Sequence, residues 1–314
     1  MSHGNIPPGR PAPRVGTFPP FTVLQQGPAA TRAFLTRAGE AGADHVCCSD
    51  HVSFYGVGFD GLVQATALTM LHPTLPVHIG VYLLPLRHPV PVARQLADIS
   101  QLAPGRLVLG VGVGGEDRHE IEVCGVDPAT RGQRMDECLT ILRQLLTGAP
   151  TTFHGKFFDV DDAVIAPPAA VPILVGGRSD VAVRRAGRLG DGWLGVWNSP
   201  RRFAAAVEMA AQEAARVGRP DPPARHAMQV WCGFADTPGA ARACLAPVME
   251  AMYQLPFERF ERYCPYGTPD DVAGFLAPYV EAGCTEFNLI PQSPDPDRVA
   301  ADVAAVKRRL AGIA

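Results

Sequence analysis

The amino-acid sequence predicts an α/β fold, a single (β/α)8 TIM barrel with insertions, on three observations. Short β-rich apolar runs alternate with helix-patterned stretches almost to the end of the chain. The junctions between helices and strands repeat an Ala-Gly signature. The residues best suited to chemistry follow predicted strands, which places them on one rim of such a barrel.

The predicted strands are residues 14–18, 45–49, 77–83, 106–112, 173–176, 192–196, 227–234 and 286–290. Helical stretches separate them, and strands joined by crossovers pair in parallel. Met135, Leu139, Leu142 and Leu146 recur at helical spacing after the fourth strand. Phe203, Val207, Ala210 and Ala214 do so after the sixth, and Val299, Val303, Val306 and Leu310 after the eighth. Glu40-Ala41-Gly42-Ala43-Asp44-His45-Val46 is echoed by Glu281-Ala282-Gly283-Cys284-Thr285-Glu286-Phe287, with Ala186-Gly187-Arg188-Leu189-Gly190-Asp191-Gly192 as a third variant. Glycine just past a helix end supplies the left-handed conformation that releases the chain into a short loop. Two stretches break the rhythm. Residues 151–165 read as a hairpin turning at His154-Gly155-Lys156, and residues 254–267 as a loop or short helices. No linker interrupts residues 14–314, which are expected to form one domain, whereas residues 1–13, rich in Pro and Gly, read as a loose tail.

The chain has 314 residues, 47% hydrophobic and 19% charged, enough for a large core. A net charge of −3 gives no global attraction to nucleic acid or anionic membranes. No apolar run approaches the roughly 20 residues needed to span a bilayer, and the start lacks a secretory signal, so a cytoplasmic protein is expected. Of the eight cysteines, Cys47 and Cys48 are adjacent and the rest are scattered without a CxxC pair, so neither a metal site nor a disulfide framework is expected.

Loops after the strands form the functional face of a βα barrel. Gly110-Val111-Gly112-Val113-Gly114-Gly115 matches the GxGxxG of a Rossmann dinucleotide site. That reading needs a helix starting at the third glycine and an acid-tipped strand about 20 residues on. Here Glu116, Asp117, His119, Glu120 and Glu122 follow at once, then a helix, and the motif comes late in the chain. Glycines that let backbone approach a flat ring closely are the better reading. Gly176-Gly177-Arg178-Ser179 ends a strand and opens a helix, where free amides and the helix dipole favour a phosphate, aided by the Ser179 hydroxyl and the Arg178 charge; the alternative is a tight turn with Ser179 as N-cap. Asp50-His51, at the end of the second strand, is a candidate proton-transfer pair. Glu116, His119 and Trp197 are weaker candidates for contact with substrate, and Trp193 and Trp197 also suit a core role.

Together these segments resemble the bacterial luciferase-like superfamily of flavin- and F420-dependent oxidoreductases. The resemblance runs through ADHVCCSDHV (43–52), IGVYLLPLRHPVPVARQLADISQLAPGRLVLGVGVGG (79–115), RGQRMDECLTILRQLLTG (131–148) and TTFHGKFFDV (151–160). It continues through PILVGGRSDVAVRRAGRLGDGWL (172–194), YGTPDDVAGFL (266–276) and AGCTEFNLIP (282–291). The resemblance implies a (β/α)8 barrel with the cofactor ring over the strand ends and a non-prolyl cis peptide at Gly80–Val81 behind it. It also implies that Gly176, Gly177, Arg178 and Ser179 bind the cofactor phosphate, and that Asp50 and His51 contact the ring and serve the substrate's proton. Gly112, Gly114 and Glu116 would line ring and substrate. Glucose-6-phosphate dehydrogenases of the group place a Lys after strand six, where this chain has Trp197-Asn198-Ser199, which argues against a sugar phosphate. The Cys47-Cys48 pair has no interpretable counterpart.

The expected function is F420-dependent hydride transfer between the deazaflavin C5 and a small, partly apolar organic substrate, in a protein that, like relatives of this family, forms a homodimer. An FMN-dependent monooxygenase using reduced flavin and O2 is the alternative on the same barrel. A non-catalytic barrel that binds a cofactor or other ligand is the alternative of another class. The substrate pocket is expected around residues 54–59 and 254–266, whose aromatic content suits an apolar ligand.

Overall fold

Eight apolar runs, each too short to bury itself, pair side by side in parallel. In a computed structural model describing residues 11–54, 58–115 and 117–312, they form strands β1 (Arg14–Thr17), β2 (His45–Cys48), β3 (Val77–Tyr82) and β4 (Leu107–Val111). They continue as β5 (Ile173–Gly176), β6 (Gly192–Val196), β7 (Ala227–Phe234) and β8 (Glu286–Gln292). The pairing order β7-β8-β1-β2-β3-β4-β5-β6 is closed by β6 on β7, with Leu194 opposite Ala227 and Val196 opposite Gln229. The fold is therefore a (β/α)8 barrel, and the closed sheet removes the open-sheet Rossmann reading. Most of the tail expected over residues 1–13 lies outside the described residues, as do Glu116 and residues 55–57.

The predicted helical faces are the buried ones. Val299, Val303, Val306 and Leu310 line the inner face of the helix Val299–Ala311, and Met135, Leu139, Leu142 and Leu146 are buried likewise. The Ala-Gly echo holds at two of its three sites: Gly42 and Gly283 have φ of 99° and 104°, both left-handed. Gly190 differs, with φ −101°, because the chain leaves the helix Asp180–Leu189 extended and enters β6 directly. The predicted hairpin forms from Thr151–His154 and Asp159–Ala163. The Glu137 carboxylate fastens it to the helix Arg131–Leu145 by accepting the amides of Lys156, Phe157 and Phe158. The segment 254–267 forms two short turns, Phe257–Arg259 and Glu261–Tyr263, then a two-residue strand, Tyr266–Gly267, beside the end of β7.

Inside the barrel, one sector is apolar: Val108, Leu174, Leu194 and Ala227, from β4 through β7, pack with Val81. The opposite sector is polar. His45 of β2 passes β1 to reach the Asn288 Oδ1 at 2.7 Å, through space left by Gly16, where a Cβ would lie 2.2 Å from the imidazole. His45 stacks on His78 at 3.7 Å between centroids, and burial lowers the His45 pKa to about 4. All eight cysteines are free thiols, six of them buried.

Candidate active site

Two cavities open at the C-terminal ends of the strands. The larger, about 1310 Å³, is lined by Gly112, Gly114, Gly176, Gly177, Arg178 and Ser179 among others. The smaller, about 470 Å³, holds Asp50, His51 and Gly80 among apolar walls that include Phe18, Phe54 and Trp231. Val81, Leu83, Gln229 and Tyr253 line both, so the cavities adjoin over β3. There the peptide Gly80–Val81 is cis and the register of β3 on β4 shifts between Ile79 and Tyr82. Among the described residues, no group of three or more His, Cys, Asp or Glu side chains is placed to hold a metal ion.

Glycines make room for this bulge. A Cβ on Gly110 would lie 2.3 Å from the Ile79 carbonyl, and one on Gly112 would lie 2.4 Å from the Val81 Cγ2. One on Gly176 would lie 2.9 Å from the Val81 Cγ1. The glycine run thus serves first the close approach of β4 and β5 to β3. No helix starts at its third glycine; the next, Arg118–Val123, is capped by Asp117.

Asp50 is 2% exposed, and its carboxylate is fully engaged. Oδ1 accepts the Gly61 amide at 2.8 Å and the Arg87 Nη2 at 2.7 Å; Oδ2 accepts the Leu83 amide at 2.8 Å and the Arg87 Nη1 at 2.6 Å. Burial pushes its pKa above the usual Asp value, against the guanidinium and the two amides that pull it down. Four donors fill the acceptor sites of a carboxylate. These four donors tie Asp50 to β3 and to the loop at Arg87 from the end of β2, and they leave its carboxylate no open acceptor for the expected proton transfer. The sequence reading missed Arg87, 37 residues away in the chain.

His51 stands differently. Its ring stacks on Phe54 at 4.0 Å between centroids, and its Nδ1 lies 3.2 Å from the Glu120 Oε2. The carboxylate of Glu120, 3% exposed, also accepts the Val52 amide at 2.6 Å. With Nδ1 held, Nε2 is the ring nitrogen left for a ligand. The sequence reading counted Glu120 only among the acids that follow the glycine run. Its signal was the position next to Ile121: Glu120 and Ile121 are the two buried residues of their helix. His119 is exposed on that helix and lines neither cavity, so it is not brought to the site. Glu116 lies outside the described residues.

At the turn after β5, Gly177 has φ 134°, and Ser179 accepts the Ala182 amide at 3.2 Å as the N-cap of Asp180–Leu189. The Trp193 Nε1 donates to the Gly177 carbonyl at 2.8 Å and fixes the turn from the core side. Arg178 lies 5.3 Å from the centre of the Trp197 ring. Trp197 itself has φ 49° and packs against Tyr253 and Phe260. Asn198 donates back to the Val196 carbonyl at 2.7 Å, and Ser199 caps the next helix, Pro200–Arg216. Two buried polar atoms on residues that line the larger cavity have no partner among the described residues: the Trp197 Nε1 and the Gln229 Oε1. Unpaired buried polar atoms are costly in a folded protein unless a ligand or solvent satisfies them.

The luciferase-like monooxygenase family matches residues 14–264 of the chain. An F420-dependent glucose-6-phosphate dehydrogenase of Microbacterium testaceum is 35% identical over 181 residues, 54% of this chain and 53% of that protein. The chain spans about half the length of the curated relatives it matches. A solved F420-dependent secondary alcohol dehydrogenase, in complex with an F420-acetone adduct, superposes with a TM-score of 0.81 at 21% identity, over 95% of this chain and 99% of the other. The oxygenating constituent of the 3,6-diketocamphane monooxygenase of Pseudomonas putida, a type II Baeyer-Villiger monooxygenase in complex with FMN, superposes at 0.75 and 19%, over 96% and 98%. Both superpositions speak to the fold. With the family matched from the first barrel strand to past the seventh, the chain belongs to the luciferase-like monooxygenase family.

Proposed function

We propose that the protein is an oxidoreductase that holds coenzyme F420 in the larger cavity and transfers a hydride between its deazaflavin C5 and a small, partly apolar substrate in the smaller one. One observation carries the reading. A helix N-terminus suited to phosphate and an imidazole–carboxylate pair open onto two cavities that adjoin over a single bulge. The residues present fit a flat, phosphate-bearing cofactor: Gly110, Gly112 and Gly176 let the bulge and the Val81 side chain lie close against the neighbouring strands as a low floor, and the Gln229 Oε1 is a buried acceptor awaiting a donor.

The bound deazaflavin supplies the hydride carrier. The protein's residues do the rest. The turn of Gly176, Gly177, Arg178 and Ser179 binds the phosphate through amides and charge. His51, oriented by Glu120 through Nδ1, holds or takes the substrate's proton at Nε2. Asp50 and Arg87 fix the loop that carries His51, and Phe18, Phe54 and Trp231 keep water from the reacting atoms. Trp197-Asn198-Ser199 brings no ammonium group to the cavity wall, which speaks against a sugar phosphate as substrate.

An FMN-dependent monooxygenase is the second reading, favoured by the likeness to the FMN-bound Baeyer-Villiger enzyme. The Ser49-Asp50-His51-Val52 strand end and the F420-dependent relative tip the balance to F420. Titrating the apoprotein with F420 and with FMN tests this. F420 binding with His51→Asn losing turnover is expected; FMN binding without F420 binding overturns the cofactor assignment. Binding neither would favour a non-catalytic barrel.

A further inference from the structure

The two cavities differ in charge. Six arginines line the larger, whereas no Lys, Arg or Glu lines the smaller among the described residues; its acid and imidazole are Asp50 and His51. Residues 55–57, outside the described ones, are Tyr, Gly and Val and carry no charge. Arg87 balances the Asp50 charge from 2.6 Å, and all four acceptor sites of that carboxylate are taken. His51 is committed to Glu120, which lines neither cavity, so the pair offers no net positive charge. An ionised substrate group would therefore be buried without a counter-charge, which is strongly unfavourable. The mouth of this cavity is apolar. Of the fourteen phenylalanines, Phe21 and Phe59 are the exposed ones, at 39% and 41%. Both line the smaller cavity, their ring centres 6.4 Å apart, and the exposed Val248 lines it too. They come from the helix Phe21–Gln25, the loop between β2 and the helix Gly61–Leu71, and the helix Pro238–Tyr253. Single exposed apolar side chains need no explanation, but a group of them at one opening marks a binding surface.

We propose that the substrate is an uncharged, strongly hydrophobic carbonyl or hydroxyl compound, with its reacting end at His51 and its apolar body running out of the cavity over Phe21, Phe59 and Val248. The inference rests on the reading of the smaller cavity as the substrate site, and its hydride step rests on F420. Oxidation of such an alcohol passes the carbinol hydrogen with its electron pair to the deazaflavin C5, and the hydroxyl proton goes to the His51 Nε2; reduction of the carbonyl is the reverse. The cavity, about 470 Å³, takes the reacting end. Each methylene buried inside it is worth about fourfold in affinity, and about twofold where the rim covers one side only.

The test is a calorimetric titration of the cofactor-loaded protein, the cofactor oxidised so that ketones are not turned over. The probes are methyl ketones of increasing chain length, from butanone upward, and levulinate, whose carboxylate would fall inside the cavity. Affinity is expected to rise steeply with each methylene, then to go on rising at about twofold per methylene once the cavity is filled. Levulinate is expected to bind at least about a hundredfold more weakly than methyl propyl ketone, which has the same number of carbons. Phe21→Ser with Phe59→Ser should flatten the rise for the long ketones, with the denaturation midpoint as the check on folding. A rise that stops when the cavity is full, or that survives the double exchange, overturns the proposal, as does levulinate binding more tightly than the ketone. A protein that holds F420 but binds no ketone overturns the proposal and leaves the cofactor reading intact. Loading with FMN where F420 fails to bind overturns the cofactor reading and with it the hydride step, and the ketone series on the FMN-loaded protein still decides where the substrate lies.

Discussion

Arg87→Gln should destabilise the protein more than Asp50→Asn does, and the gap should close in acid. In Asp50→Asn, one amide oxygen still accepts, but the NH2 group meets N–H donors that lie 2.6–2.8 Å from the carboxylate. Arg87 keeps a route to water, its side chain being 17% exposed. Losing the charge-assisted bonds then costs about 2–3 kcal/mol. In Arg87→Gln the carboxylate, with 0% side-chain exposure, is left without its counter-charge, at a cost of about 3–5 kcal/mol. The sign with pH follows from burial, which already pushes the Asp50 pKa up. Without Arg87 the folded pKa rises further above the unfolded value, so the folded state binds the extra proton and the variant regains stability as pH falls. Urea denaturation of the two single variants and the double variant at pH 7 and 5 measures both the ordering and the coupling. An Asp50→Asn protein with the midpoint of the unaltered protein but no turnover would refute the anchor reading and return Asp50 to the chemistry.

Three further outcomes follow from named contacts. Glu120→Gln should lower turnover about 10–100-fold while F420 affinity holds, since Glu120 orients the imidazole and touches no cavity; steady-state rates beside binding titrations check this. Gly112→Ala should weaken cofactor binding at least about tenfold, because its Cβ would sit 2.4 Å from the Val81 Cγ2 and push the floor upward; fluorescence titration reads it. His45 and His226, both lowered to about 4 by burial, stay neutral in the folded state and take up protons on unfolding below pH 6.5. Between pH 7 and 5 they should together remove about 3–4 kcal/mol of stability, and the pH dependence of the denaturation midpoint should flatten in His45→Gln.

The strands were legible because each is a short apolar run with a turn signal at its end, and a closed barrel buries such runs on both sides. Their observed limits differ from the predicted ones by two residues at most, as where β8 runs on through Pro291 to Gln292. The turn after β5, with Ser179 as N-cap, was legible because glycine, an N-capping Ser and a helix start are contiguous in sequence. What escaped was whatever depended on distant partners. Arg87 sits in an ordinary Leu-Arg-His-Pro stretch, and its capture by Asp50 depends on the bulge in β3. Glu120 and His119 are adjacent and similarly polar, and only the direction of one helical turn decides which faces His51. The meeting of Arg131 and Arg259 was invisible for the same reason, since they are 128 residues apart in numbering and line one cavity only in the closed barrel.

Floor and walls of the site carry different kinds of information. Gly110, Gly112 and Gly176 each have less than 3 Å of room for a Cβ against Ile79 or Val81, and Gly80 has as little against the Gln229 Oε1. Such a floor is set by sterics, and it presents the same surface to any planar ring system, flavin or deazaflavin. If the floor does not read the atom at position 5 of the ring, choice between cofactors arises at the walls, from what each cofactor carries beyond the ring. Among the wall residues, Arg131, Arg259 and Arg262 have no carboxylate partner among the described residues. Floor substitutions should consequently damage binding of either cofactor alike, whereas wall substitutions should change their ratio. A Gly112→Ala protein that lost F420 yet kept FMN would break this division, because it would mean that the ring itself is being read.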